Sequence, residues 1–188
     1  MVIDRVPKQE HPRLFDVVIG EIQDGIAANI AWLDHIFGKA ERLVKVINGK
    51  KYYSPNIYVG GNDYFELSPD SNVGNFCFFV LDEPQKVIFE RGELNEVKAP
   101  FSLIVWFDMR KVLDENGRNI EAVKRQLLRT LNGEIMLKTG KMTINTIYER
   151  VENIFQGFTL DEVDNQFLMQ PYCGFRFKGE LLTIDECL

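Results

Sequence analysis

Reactive side chains are scarce in this sequence, which has two histidines and three cysteines in 188 residues. Cys77, Cys173 and Cys187 are odd in number and show no C-x-x-C spacing. That excludes an obvious zinc site or disulfide framework and reads as free thiols in a reducing compartment. His11 stands beside Pro12 in a polar stretch. His35 follows Asp34, and adjacent positions of a helix do not share a face, so spacing alone makes no acid–base pair of them. No H-E-x-x-H, G-x-S-x-G or G-x-G-x-x-G occurs, so the signatures of zinc hydrolases, serine hydrolases and dinucleotide sites are missing. No stretch approaches the ~18 apolar residues of a membrane span. The opening MVIDRVPKQEHPR has no apolar run of the secretory kind.

What the chain does hold is apolar mass. Hydrophobic residues make up 45% and charged residues 27%, and 14 residues are Phe. That is a soluble globular balance with a large aromatic payload for a core or an interface. One domain over 1–188 is expected, with 1–12 as a flexible N-terminal segment. The net charge is −6. An acidic surface repels phosphate backbones, so no nucleic-acid partner is expected.

Periodicity supplies the elements. Over 13–44, Phe15, Val18, Ile22, Ile26, Leu33 and Phe37 recur at helical spacing and predict a long helical element, with Gly20 and Gly25 as places for a break or a close packing contact and Gly38 a local stop or kink. Asn48-Gly49 between strand-like runs predicts a hairpin. The stretch NIYVGGNDYFEL repeats that logic: strand over 56–59, turn over 60–63, strand over 64–67. A phosphate loop would need a helix after the Gly-Gly, but YFELSPD looks extended and lacks a Lys-Ser/Thr pair. A calcium loop lacks the ligand spacing. Residues 60–63 are therefore read as a turn.

NFCFFVL and KVIFERGEL read as strands, and the apolar run from Phe101 to Phe107 as a central strand buried on both faces. Asn119 is placed to cap a helix through Ile120, Val123, Leu127, Leu128 and Leu131, ended by Gly133. Ile144, Ile147, Val151, Ile154 and Phe155 predict a third helix over 143–157. Thr159 and Glu162 have capping-box spacing for a short fourth. Cys173, Phe175, Phe177 and Leu181 alternate with Arg176, Lys178 and Glu180 in a last strand, one face buried and one polar. It is expected to lie close to Phe101–Phe107. The order does not alternate βαβα. It predicts an α+β domain, a mainly antiparallel sheet with helices packed on one face.

The acidic pairs Asp82-Glu83, Asp114-Glu115 and Asp161-Glu162 flank turns or helix starts, where acids solvate or cap. No catalytic residue, cofactor or metal is expected. The alternatives are a monomeric binding domain and a small hydrolase-type enzyme with a site around His35.

Three stretches carry a family resemblance: YYSPNIYVGGNDYFELSPDSNVGNFCFFVLDE; PFSLIVWFDMRKV with IEAVKRQLLRTLNG; and QPYCGFRFKGELLTID. In element order and style they resemble the small tail-terminator or tail-completion proteins of phage and prophage tail modules. The hairpins at 43–67 and the segment 82–100 make this chain longer than many compact members. The resemblance implies an α+β fold without catalytic residues. It also implies a ring of identical subunits, commonly six, that stops tail-tube growth and joins other tail proteins. Such a protein would assemble in the cytoplasm of a bacterial host and end in the virion tail.

Charge suggests how copies would meet. Residues 101–150 carry nine Lys/Arg against six Asp/Glu, and residues 151–188 carry two against seven. If these regions form opposite flanks, the basic flank of one subunit can meet the acidic flank of the next, a head-to-tail contact that closes into a ring. The basic candidates are Lys124, Arg125 and Arg129. The acidic candidates are Asp161, Glu162 and Asp164.

Overall fold

The computed structural model describes residues 4–60, 63–70, 73–90, 93–112, 119–132, 134–161 and 163–184. In chain order these form α1 (Phe15–Asn29), β1 (His35–Lys39), β2 (Glu41–Ile47), β3 (Lys50–Gly60), β4 (Asp63–Glu66), β5 (Phe76–Leu81), β6 (Lys86–Glu90) and β7 (Glu93–Asp108). There follow α2 (Ile120–Leu131), β8 (Glu134–Met136), β9 (Gly140–Tyr148), α3 (Val151–Ile154), a 3-10 turn (Asn165–Leu168) and β10 (Tyr172–Ile184). A seven-stranded sheet runs β1-β5-β7-β10-β9-β8, with β6 also on β7, and β2-β3-β4 make a second sheet. Among the described residues every pairing is antiparallel except β1 with β5. This is the expected α+β class.

The centre is as the apolar run predicts. β7 lies between β5 and β10, with Phe175 opposite Val105 and Phe177 opposite Leu103. Strand side chains alternate between faces. Phe101, Leu103, Val105 and Phe107 enter one apolar cluster, with α1 and α2 laid over it. Ile104 and Trp106 enter a second on the other face, covered by Ile57 and Leu67 from around the small sheet and by Ile154 and Phe155. Both long helices thus pack on the same face, and the single turn of α3 lies on the other.

The predicted long first helix is shorter than its apolar spacing suggests. It ends at Asn29, and Ile36 and Phe37 are consecutive and both fully buried, one in each cluster. Only an extended strand places neighbours on opposite faces. The turn between is pinned from outside: the Arg5 side chain donates to the Ile30 and Leu33 carbonyls, and the Asn75 N–H donates to Asp34 Oδ2 at 2.7 Å. Residues 4–8 run along the body as a strap held by hydrogen bonds. Ile36 N–H donates to Arg5 O, Gln23 Nε2 to Pro7 O, and Lys8 Nζ to Gly20 O.

The third helix is also corrected. Residues 140–148 are β9, and only Val151–Ile154 are helical. The pairing of β9 with β10 slips between Lys178 and Gly179, which face Thr146 and Ile144. This bulge leaves Asn145 unpaired in the register. Ile144 and Ile147 therefore face the first cluster together although three residues apart, which imitates a helical step.

The Asn48-Gly49 hairpin is present, with φ of 50° and 77° as a two-residue turn of this type requires. β3 and β4 pair antiparallel on either side of 60–63, with Gly60 opposite Asp63. The turn reading holds for its flanks, and residues 61–62 lie outside the described residues. KVIFERGEL is not one strand: β6 and the start of β7 pair antiparallel, with Glu90 opposite Glu93, and residues 91–92 lie outside the described residues. Asn119 caps α2, its Oδ1 accepting from the Glu121 and Ala122 amides at 3.1 and 3.2 Å. Asn132 takes the left-handed conformation that stops the helix, and Gly133 is outside the described residues.

Candidate functional site

Amphipathic α2 sets the first surface. Val123, Leu127 and Leu131 face the core, which turns Arg125 and Arg129 outward, four residues apart and one above the other. Among the described residues neither has an ionic or hydrogen-bonding partner. Together with Asn29 and Gln126 they line an open groove of about 610 Å³. Gln126 is fixed there because its Oε1 accepts from Trp32 Nε1 at 3.0 Å.

Lys124 departs from the expected basic face. Its side chain is only 17% exposed, and Nζ donates to Glu121 Oε1 at 2.7 Å and Glu149 Oε1 at 2.5 Å. It also sits 5.9 Å from the Phe175 ring centroid. The two carboxylates push its ammonium pKa above the ordinary lysine range, the Glu121 hydrogen bond being the larger cause. Lys124 is a bracket between α2 and the end of β9.

The acidic candidates lie across the sheet. Phe158 and Leu160 pack against the second cluster, so Asp161 and Asp164 are on the face away from α2. Asp161 is exposed. Asp164 caps the 3-10 turn, accepting from the Gln166 amide at 3.3 Å and its side-chain nitrogen at 2.7 Å. Glu162 lies outside the described residues. The capping box expected from Thr159 falls on Glu162 and so lies outside the described residues; the Thr159 hydroxyl accepts from Tyr53 N–H at 3.1 Å and its own N–H donates to Tyr53 O. The structure thus brings Arg125 and Arg129 together, keeps Lys124 apart from them, and separates the basic pair from the acids by the thickness of the large sheet.

His35 starts β1, stacked on Phe37 at 5.3 Å between ring centroids, with Nδ1 3.3 Å from Asp4 O. Burial pushes the Cys77 thiol far up and the Cys173 thiol up to about 12, so both are inert thiols at neutral pH. Among the described residues no three His, Cys, Asp or Glu side chains are grouped to hold a metal ion. None of the described helices is long and apolar enough to cross a membrane. A second groove, about 330 Å³, opens beneath the N-terminal strap between Pro7, Pro12, Val17, Gln23 and Tyr58.

Sequence reasoning missed two features. Arg176, expected on the polar face of β10, is buried. The hairpin β2–β3 and strand β6 hold Val44, Val46, Val87 and Phe89 in the open. Neither had a local signal: in QKVIFE, for example, Gln85, Val87 and Phe89 share a face without charge, as in a strand with one face buried. No known protein family and no curated protein matches the chain.

Proposed function

We propose that the chain is a non-catalytic structural subunit of a phage or prophage tail module, a tail terminator or completion protein that acts by closing into a ring of its own copies. One observation carries this reading: Arg125 and Arg129 stand unpaired on one face of the sheet, while Asp161 and Asp164 stand on the other. A head-to-tail contact requires two different complementary surfaces on opposite flanks, and a rotation repeated from copy to copy closes it. Individual exposed ion pairs contribute only about 0–1 kcal/mol. The charges would set register, while apolar burial supplies the affinity. The ring, a hexamer by the resemblance, would offer joining surfaces to other tail proteins. It would assemble in the host cytoplasm and finish in the virion tail, with no nucleic acid or cofactor involved.

Light scattering at low and high salt tests this. A multiple of the 21.8 kDa chain mass, lowered by joint Arg125→Glu and Arg129→Glu substitution, supports the reading. A reversed variant that keeps the wild-type mass removes the charge argument. The groove beneath the strap favours a second reading, a monomeric domain that binds a small ligand. A wild type that is monomeric at high concentration favours that one.

A further inference from the structure

The groove of about 330 Å³ beneath the strap lies between the N-terminal segment, the outer face of α1, and Ile57 and Tyr58 of β3. On α1, Asp16, Gly20 and Gln23 follow at steps of four and three residues and share one face. Gly20 has no side chain, so the groove stays open between the other two. Seven residues of helix set Asp16 and Gln23 about 10 Å apart along the axis.

Gln23 is 2% exposed, and its Nε2 donates to Ile36 O at 2.8 Å and to Pro7 O at 3.2 Å. Both amide hydrogens are thereby used. Among the described residues no donor meets its Oε1, which is not sealed in the core and lines the groove. Asp16 is half-buried, and among the described residues its carboxylate has no ionic or hydrogen-bonding partner. Acceptors in such places take a donor from water or from a ligand.

The other charges of the groove are already engaged. Lys8 pairs with Asp24 at 2.8 Å and Lys39 with Glu41 at 3.0 Å. Glu21 accepts from the Lys138 amide and the Thr139 hydroxyl, both at 2.8 Å. What the groove offers is therefore two acceptors and one ring. Tyr58 is 42% exposed and stands edge-on to Tyr64, 5.5 Å between centroids.

These features select a chemical class. An anion would bring acceptors to acceptors and meet the Asp16 charge. An apolar ligand would strip water from Asp16 and Gln23 and return no hydrogen bond. One ammonium cannot serve two acceptors about 10 Å apart, and a polyamine would set its charges beside Lys8 and Lys39. A chain of neutral sugar rings carries hydroxyl donors spread along its length, and apolar C–H faces that pack on an aromatic ring.

We propose that this groove binds a neutral oligosaccharide longer than one ring, its hydroxyls donating to Gln23 Oε1 and Asp16 and one ring lying on Tyr58. The site is complete within one chain, so it goes beyond the ring reading and requires no second copy. It gives the small-ligand reading of the groove a class of ligand.

Saturation-transfer NMR on the full chain tests this with maltose, cellobiose, lactose and N,N′-diacetylchitobiose, beside spermidine and citrate. Transfer to at least one disaccharide is expected. Tyr58→Ala and Asp16→Ala should each weaken its binding about tenfold, while Tyr58→Phe retains it. The melting temperatures should stay close to wild type, since Tyr58 is exposed and Asp16 lacks a partner among the described residues. Joint Arg125→Glu and Arg129→Glu substitution should leave binding unchanged, whatever it does to the solution mass. No transfer to any of the disaccharides overturns the proposal, and so does disaccharide binding that survives both alanine substitutions. Transfer to spermidine or citrate alone assigns the groove to a charged ligand and overturns it as well. The ring reading stands or falls separately, on the mass of the wild type.

Discussion

Arg176 donates from Nε to the Ser102 hydroxyl at 2.9 Å, beneath a surface that leaves the arginine 3% exposed. Ser102 in turn donates to Asp82 Oδ2 at 3.1 Å, and Arg176 Nη1 reaches Gln156 O at 2.7 Å. Asp82 stands 3.8 Å from the guanidinium. One buried cation thus joins β10, β7, the end of β5 and the segment after α3. Burial lowers its pKa from the usual arginine value, and the Asp82 charge opposes that shift. Removing one partner of a buried pair costs about 3–5 kcal/mol. Arg176→Ala is expected at that level by urea denaturation, because the Ser102 hydroxyl and the Gln156 carbonyl also lose their donor. Asp82→Ala should cost less, about 1–3 kcal/mol, since its side chain is partly exposed. Equal small losses from both would show that the clasp is idle.

Phe175 tests the other face of the same strand. It is fully buried, with ring centroids 5.9 Å from both Phe107 and Phe177. Phe175→Ala should cost about 3–5 kcal/mol, the transfer term plus the cavity left behind. A loss below about 1 kcal/mol would mean that the strand presents its other face to the helices.

Why β7, β10 and α2 were legible in the sequence while β1 and β9 were not comes down to local regularity. Phe101–Phe107 is a continuous apolar run, and Phe175, Phe177 and Leu181 keep strict alternation. Asn119 and the spacing of Val123, Leu127 and Leu131 mark a capped amphipathic helix. In β1 the hydrophobic spacing continues that of α1, and the turn is imposed by Arg5 and by Asp34 bonding to Asn75, 41 residues away. In β9 a bulge replaces a two-residue step by three. Of the candidate site, the charge imbalance was visible. The diversion of Lys124 to Glu149, 25 residues on, and the exposure of both arms were not, because each depends on tertiary placement.

Acid should weaken the corner where β7 ends. Arg110 donates to Asp108 from Nε at 3.0 Å and from Nη2 at 2.7 Å. These hydrogen bonds, against an opposing burial effect, hold the Asp108 carboxyl below the usual carboxylate range. A folded value below the unfolded one of about 3.9 gives stability that is present above that pH. It is lost as pH falls through the folded value. Asp108→Asn should be less stable than wild type at pH 7, and the gap should narrow below about pH 4. A gap that stays constant from pH 7 to pH 2 would rule out the carboxylate as its source.

Two glycines should respond in opposite directions to alanine. A Cβ at Gly179 would collide with the Thr143 carbonyl oxygen and come within 3.0 Å of Ile144 Cα, both backbone atoms of the bulged strand. No rotamer relieves that, so Gly179→Ala should cost about 1–3 kcal/mol. At Gly25, inside α1, nothing lies within 4 Å of the added atom, and alanine should stabilise by about 0.5–1 kcal/mol. Thermal melts of the two variants moving the same way would show that the bulge yields more easily than its packing implies.

Lys124 and its neighbours on α2 separate folding from assembly. The Lys124 stem lies on the core side of the helix, and its ammonium bridges Glu121 and Glu149, which are 69% and 44% exposed. Solvent weakens such pairs, while the buried stem adds packing, so Lys124→Ala should cost about 1 kcal/mol of monomer stability. Arg125 and Arg129 touch no charged partner among the described residues. Surface substitutions of that kind usually stay within about 0.5 kcal/mol, so Arg125→Glu with Arg129→Glu should leave the denaturation midpoint of the isolated chain nearly in place. Their effect should appear in the solution mass at low salt, and fade as added salt screens the charges over about 10 Å at 0.1 M. The two readouts therefore cross: Lys124→Ala shifts stability and spares mass, and the arginine reversal does the opposite. If the reversal destabilises the monomer as much as Lys124→Ala does, the arginines belong to the fold and the basic face of α2 has no claim as a contact surface.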